Sequence, residues 1–199
     1  FPDDGTDAET LFTNAEIAVK RAKASGNRFM MFTQKMTEAV AGKLTLENQL
    51  RDALRNGEFV VHYQPKVNLL TGRVVGAEAL LRWNNPRTGL MAPARFIPVL
   101  EETGLILDVG AWVLRRAVED HRRWSALGLN AVRIAVNVSP LQLRQRDFIA
   151  LIERNIGPGR TNAAALEIEL TENLIMDDVN SSIASLQAIR GLGVTIAID

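Results

Sequence analysis

The chain has 199 residues, with 47% hydrophobic and 23% charged, the composition of a folded globular protein and large enough for one ordinary domain or parts of two. Lysine plus arginine and aspartate plus glutamate each total 23, so no basic excess marks a nucleic-acid backbone binder, and DNA is not an expected partner. There is no cysteine, which excludes disulfides and thiolate metal sites and leaves oxygen and imidazole as the available ligand chemistry. No long apolar run reads as a membrane span or signal peptide, and a cytoplasmic location is the expectation for the chain; an upstream sensor or membrane anchor would belong to a longer parent.

In chain order, Phe1-Pro2-Asp3-Asp4-Gly5 reads as a turn. Asp7 to Ser25 has helical periodicity through Leu11, Ala15, Ala18 and Ala22, with Asp7 as N-cap and Gly26 as the stop. Asn27 to Phe32 reads as a short strand. Together these elements are too small for a core of their own and suggest the end of a larger domain, residues 1–32. Residues 33–44 are polar and read as a linker with helical character. Thr45 then caps a helix through Leu46, Leu50 and Leu54 that stops at Asn56-Gly57, so the second domain is placed at residues 45–199.

Glu58 to Lys66 and Arg73 to Trp83 read as an antiparallel strand pair around Leu70-Thr71-Gly72. Helices are predicted over Pro93–Glu102 and Leu105–Leu127, the second with Val109, Trp112, Val113, Ala117 and Trp124 inward. From there the pattern alternates: strand Val132–Val138, a helix from Ser139-Pro140 to about Ile156, strand Leu166–Thr171, helix Glu172–Arg190, strand Val194–Asp199. Such alternation implies parallel strands joined by crossover helices.

The three late strands each have one apolar face and one small or polar face, and the polar face carries an oxygen ligand near the C-terminal end: Asn137, Glu169 and Asp199. Parallel α/β folds gather ligands at that end. On the second strand, Gly76, Glu78, Leu80 and Arg82 share a face, so Glu78 can join the group. Three carboxylates and an amide suit Mg²⁺ or Mn²⁺, and without an ion the carboxylates would repel one another. Arg82, two pleats from Glu78, suits a phosphate. Pattern alone leaves two readings open, a metal site and a solvated sheet face.

Other conspicuous residues read as structural. His62 and His121 read as packed or half-exposed histidines, and the three tryptophans Trp83, Trp112 and Trp124 as core. Arg115-Arg116 and Arg122-Arg123 read as a solvated helix face. Gly157-Pro158-Gly159 is a loop whose spacing does not match a phosphate cradle.

Several segments resemble one family in order and without a visible gap. Tyr63-Gln64-Pro65-Lys66 precedes Gly76-Ala77-Glu78-Ala79-Leu80-Leu81-Arg82-Trp83; Phe96-Ile97-Pro98, Glu101-Glu102-Thr103-Gly104, Asn137-Val138-Ser139, Glu169-Leu170-Thr171-Glu172 and Ala197-Ile198-Asp199 follow. Residues 45–199 resemble the first half of an EAL domain. Phe1–Gly5, Asn14–Ala18, Arg21–Lys23 and Gly26–Arg28 resemble the end of a GGDEF (diguanylate cyclase) domain, without the GGDEF motif itself.

The resemblance implies an α/β fold, an incomplete (β/α)₈ TIM-like barrel with an antiparallel first strand, truncated after about the fifth strand. It implies a metal-dependent phosphodiesterase that hydrolyses cyclic di-GMP to linear pGpG with two Mg²⁺ or Mn²⁺ ions. Glu78, Asn137, Glu169 and Asp199 match the family's metal ligands, and Gln64, Leu81 and Arg82 its substrate contacts. Glu172 matches a residue that steadies a catalytic loop. The family's general-base lysine would follow Asp199, and Lys66 is not its substitute; the chain alone is therefore expected to hydrolyse little or nothing. The alternatives are a non-catalytic cyclic-di-GMP receptor and a module that homodimerises through barrel helices.

Overall fold

The computed structural model describes residues 2–129, 132–172 and 179–198. By contact the chain forms two units, residues 1–49 and 50–199.

In the first unit, helix α1 (Ala8–Ala24) begins where Asp7 accepts a hydrogen bond from the Thr10 amide at 2.8 Å. That bond and the one from the Thr10 hydroxyl hold the Asp7 carboxyl below its ordinary range. The helix ends at Ser25, with Gly26 left-handed at φ 69° and the Asn27 amide returning to Ala22 O, as a glycine stop predicts. Asn27 to Phe32 is irregular where a strand was expected. A strand needs a partner ladder, and among the described residues of this unit no other segment is extended to supply one.

Helix α2 (Gln34–Arg55) is continuous through the expected linker. Thr45 does not cap it. Its hydroxyl donates to Ala41 O four residues back at 2.9 Å, the bond of a threonine inside a helix. Helix-forming residues on both sides of Thr45 outweigh its capping tendency.

The second unit is built on one mixed sheet. Strands β1 (Phe59–Val67) and β2 (Val74–Asn85) form the antiparallel pair, with a register break, a bulge, between Lys66 and Val67. A short strand β3 (Gly89–Met91) folds back on β2. Asn85 turns that corner by accepting the Arg87 and Thr88 amides at 2.8 and 3.0 Å. Strands β4 (Arg133–Asn137), β5 (Leu166–Leu170) and β6 (Thr195–Ile198) add in parallel, giving the order β1-β2-β4-β5-β6. The sheet is open among the described residues.

Between the strands lie α3 (Ile97–Glu102), α4 (Ile106–Ala126), α5 (Pro140–Leu143), α6 (Phe148–Ile156) and α7 (Val179–Gly191). The helix expected over residues 139–156 is thus two helices. The first stops after a single turn closed by a capping box, Ser139 with Gln142. Glu172 is helical, and residues 173–178 of the expected helix lie outside the described residues.

One sheet face is apolar and covered. Ala77, Ala79, Leu81, Trp83, Ile134, Val136, Leu166, Ile168 and Leu170 are all buried, under Val109, Val113, Leu114 and Ala117 of α4 and Ile152 and Ile156 of α6. Trp83 is fully buried and packs against Phe59 and Phe96, with centroids 6.3 and 6.0 Å away, while its indole N–H donates to Glu58 at 2.9 Å. Burying aromatic surface of this size is a main source of stability for this end of the sheet. Trp112 and Trp124 are only half-buried. Among the described residues no helix is long and apolar enough to cross a membrane.

Candidate functional site

The opposite sheet face carries the polar residues, because strand side chains alternate with period two and the register is continuous across the sheet. Gln64 pairs with Glu78, Glu78 with Ala135, Asn137 with Glu169, and Glu169 with Ala197. Asn137 and Glu169 are neighbours at the carboxyl ends of β4 and β5. Glu78 lies one pleat earlier, where β2 stops running alongside β4.

These side chains meet. The Asn137 Nδ2 donates to Glu78 Oε1 at 2.8 Å, which leaves the amide oxygen as the atom an ion would take. Glu169 is buried at 9% exposure, unusual for a carboxylate without a partner. Its partner is Lys66, whose ammonium donates to Glu169 Oε1 and, at 3.0 Å, to Glu167 Oε1. Arg133 also reaches Glu167, at 3.5 Å. Partial burial opposes the charge on Lys66, but the bonds to Glu169 and Glu167 outweigh it and raise its pKa.

Lys66 is the member of this polar cluster that sequence reasoning did not place there. Its phase carried the signal, since residues 64 and 66 share a face of β1 and Gln64 pairs with Glu78.

Arg82 lies on the same face as Glu78 and is half-buried, with one guanidinium nitrogen donating to Leu81 O at 2.9 Å. Gln64 is exposed on that face. Leu81 points to the other face, is buried, and lines a cavity of about 480 Å³ with Ile97, Ile106, Val109 and Val136. The cavity reaches the sheet rim at Asn137, Glu169 and Thr171, so it opens beside the polar cluster. Glu172 is exposed, and Asp199 lies outside the described residues.

The tyrosine of the first motif anchors β1 from behind. Tyr63 donates to Asp120 Oδ2 at 2.8 Å and meets Trp124 edge-on at 4.8 Å. Asp120, 4% exposed, also accepts from Arg116 at 3.0 Å and pairs with Arg123 at 3.1 Å. The helix face expected to be purely solvated thus lends two arginines to a buried carboxylate. Burial, and then Asp120 itself, raise the Tyr63 phenol above its ordinary pKa. With Tyr63 fixed outward, Gln64 and Lys66 are directed to the polar face.

Among the described residues no three His, Cys, Asp or Glu side chains form a metal-holding group. Glu78, Asn137 and Glu169 supply two carboxylates and an amide oxygen at one rim. All are hard donors of the kind Mg²⁺ and Mn²⁺ take, so the donor chemistry fits such an ion.

Residues 47–199 match the family model for the EAL domain. Over 200 residues the chain is 36% identical to the bifunctional diguanylate cyclase/cyclic di-GMP phosphodiesterase MucR of Pseudomonas aeruginosa, covering 100% of this chain and 29% of MucR. It is also 36% identical over 200 residues to the cyclic di-GMP phosphodiesterase NbdA of the same organism, covering 100% of this chain and 26% of NbdA. The solved structure of the PaMucR phosphodiesterase in complex with c-di-GMP superposes with a TM-score of 0.74 at 38% identity, covering 78% of this chain and 63% of that one. The chain spans about a quarter to a third of the length of the curated relatives it matches. The open α/β sheet with an antiparallel first strand, the polar cluster on one of its faces and the match over residues 47–199 lead to one conclusion: the chain belongs to the EAL domain family.

Proposed function

We propose that this chain supplies the first part of a cyclic-di-GMP phosphodiesterase site, which in the whole protein hydrolyses the cyclic dinucleotide to linear pGpG. The observation that carries this is the Asn137–Glu78 hydrogen bond with Glu169 in register beside it, at the strand end where such folds bind ligands. The relatives named as cyclic di-GMP phosphodiesterases support the substrate.

Glu78, Asn137 and Glu169 would hold a divalent ion, Mg²⁺ or Mn²⁺, joined by Asp199 in the family pattern. When bound, the ion lowers the pKa of water and stabilises negative charge on the phosphoryl group. The chain's own residues bind and orient the substrate. Arg82 binds a non-bridging phosphate oxygen, and Gln64, on the same face, orients the nucleotide from β1. The apolar wall behind Leu81 excludes water from one side of the rim. Glu172, just past β5, takes the role of steadying a catalytic loop that its match to the family implies. The same proposal includes a cytoplasmic location, homodimerisation through helices of the 50–199 unit, and descent of residues 1–32 from the end of a diguanylate cyclase domain. The match to bifunctional MucR over the whole chain supports the last of these.

The test is calorimetry with cyclic di-GMP, with and without Mg²⁺, on wild type and Glu78→Ala, alongside a pGpG assay on the whole protein. The enzyme reading requires ion-dependent turnover that Glu78→Ala abolishes. Tight nucleotide binding without turnover, unaffected by the ion, would make the protein a receptor instead.

A further inference from the structure

Lys66 and Glu169 belong to strands that do not touch: β2 and β4 lie between β1 and β5. The lysine nevertheless crosses the polar face to reach both Glu167 and Glu169. The intervening residues make the crossing possible. Lys66 pairs with Gly76, and a Cβ built on Gly76 would stand 3.5 Å from Lys66 Cδ, so the aliphatic stem lies over a position with no side chain. Gly76 pairs with Arg133, and one pleat on, diagonally across from Gly76, the next strand presents Ala135, which pairs with Glu167. Small residues at both positions clear a track for one long side chain.

The charges are close to balance. Three carboxylates, Glu78, Glu167 and Glu169, share the face with three cations, Lys66, Arg82 and Arg133. The lysine engages a carboxylate assigned to the ion and a second carboxylate that is not. A lysine ammonium is a compact charge on a flexible stem, able to keep one partner while yielding another.

We propose that Lys66 sets the divalent-ion affinity of this site by competing with the ion for Glu169, with Glu167 as the partner that receives it when the ion is bound. This rests on the metal-site reading above. It makes Lys66 a positioning residue rather than an acid or base in the reaction. Glu167, outside the matched ligand set, becomes the residue that makes the exchange cheap.

The two residues should therefore shift ion affinity in opposite directions. Lys66→Met removes the competitor and should tighten Mn²⁺ binding about tenfold, a conservative value for deleting a positive charge beside a divalent ion. Glu167→Gln removes the alternative partner, concentrates Lys66 on Glu169, and should weaken binding by a similar factor. Mn²⁺ titration of the chain, followed by the electron paramagnetic resonance signal of the free ion, reads both. Circular dichroism confirms that each variant is folded, and Glu169→Gln serves as the ligand knockout. Opposite shifts support the proposal. Unchanged affinity in Lys66→Met, or weakening in both variants as a merely structural role would give, overturns it while leaving the metal site intact. Wild type that takes up no Mn²⁺ overturns the metal-site reading, and this proposal with it.

Discussion

Gly110 of α4 lies against the buried side chain of Gln142, and replacing it by alanine sets two effects of opposite sign against each other. Alanine in a helix interior is favoured over glycine by about 1 kcal/mol. A Cβ at Gly110, however, would stand 2.0 Å from Gln142 Nε2 and 2.6 Å from its Cδ, so the amide must move. Gln142 is only 4% exposed, and its Oε1 accepts the Ser139 amide at 3.1 Å to complete the capping box. Moving it strands a buried amide and opens the cap, a loss of about 1–3 kcal/mol for the hydrogen bonding alone, with overpacking adding a comparable amount. The clash wins, and Gly110→Ala should destabilise the 50–199 unit by about 1–5 kcal/mol after the helix gain is deducted. Urea unfolding followed by tryptophan fluorescence reports on this unit alone, since all three tryptophans lie in it. The cycle with Gln142→Ala isolates the cause: once the glutamine is gone, Gly110→Ala should be neutral or slightly stabilising. Equal cost in both backgrounds, or a stabilised single variant, would refute the reasoning.

Asn137→Asp replaces a donor to Glu78 with a second negative charge. Without divalent ion it should lower stability by about 1–2 kcal/mol, and Mn²⁺ should raise its Tm more than that of wild type, as thermal scans at matched ion concentration will show. Tyr63 is the only tyrosine, so ultraviolet titration reads it alone. Its folded pKa lies above its unfolded value, so the stability it contributes is complete below about pH 10 and is lost as pH rises further. Tyrosinate absorbance should accordingly be absent from the folded protein at about pH 11 and appear with alkaline unfolding; a normal titration in the folded state would contradict the buried Tyr63–Asp120 bond. Trp83→Phe removes a buried N–H donor to Glu58 and part of the ring volume, and should cost about 1–3 kcal/mol in the same urea assay.

Much of the site was legible because strand periodicity is rigid. Val132 to Val138 and Leu166 to Thr171 alternate so regularly that Asn137 and Glu169 had to share a face, and parallel pairing then made them neighbours. Tyr63 and Gln64 divided between the two faces for the same reason. What periodicity cannot supply is distance across the sheet. The Lys66 bridge depends on strand order and on Gly76 and Ala135 being small along one diagonal of the sheet, and neither is local in sequence. The errors at Thr45 and at Asn27 to Phe32 have a different origin. Each rested on local propensity where context decided: continuation of a helix in one place, lack of a pairing partner in the other. β3 was missed although Asn85-Pro86-Arg87-Thr88-Gly89 carries a recognisable turn signal, because a three-residue strand is too short for alternation to register.

The bulge between Lys66 and Val67 separates the tip of the first hairpin from the rows that matter. Residues 68–72 bend back through Asn68, which accepts the Leu70 and Thr71 amides, and Leu69 and Leu70 stand in solvent at 97% exposure. A change in loop length there can be taken up at the irregularity instead of propagating down the ladder, so Gln64 and Lys66 keep their parity. That hairpin tip is accordingly the place to splice in a fluorophore tag or an epitope: it is remote in register from the Asn137–Glu169 rim, yet joined to the strand of the lysine whose state it would report.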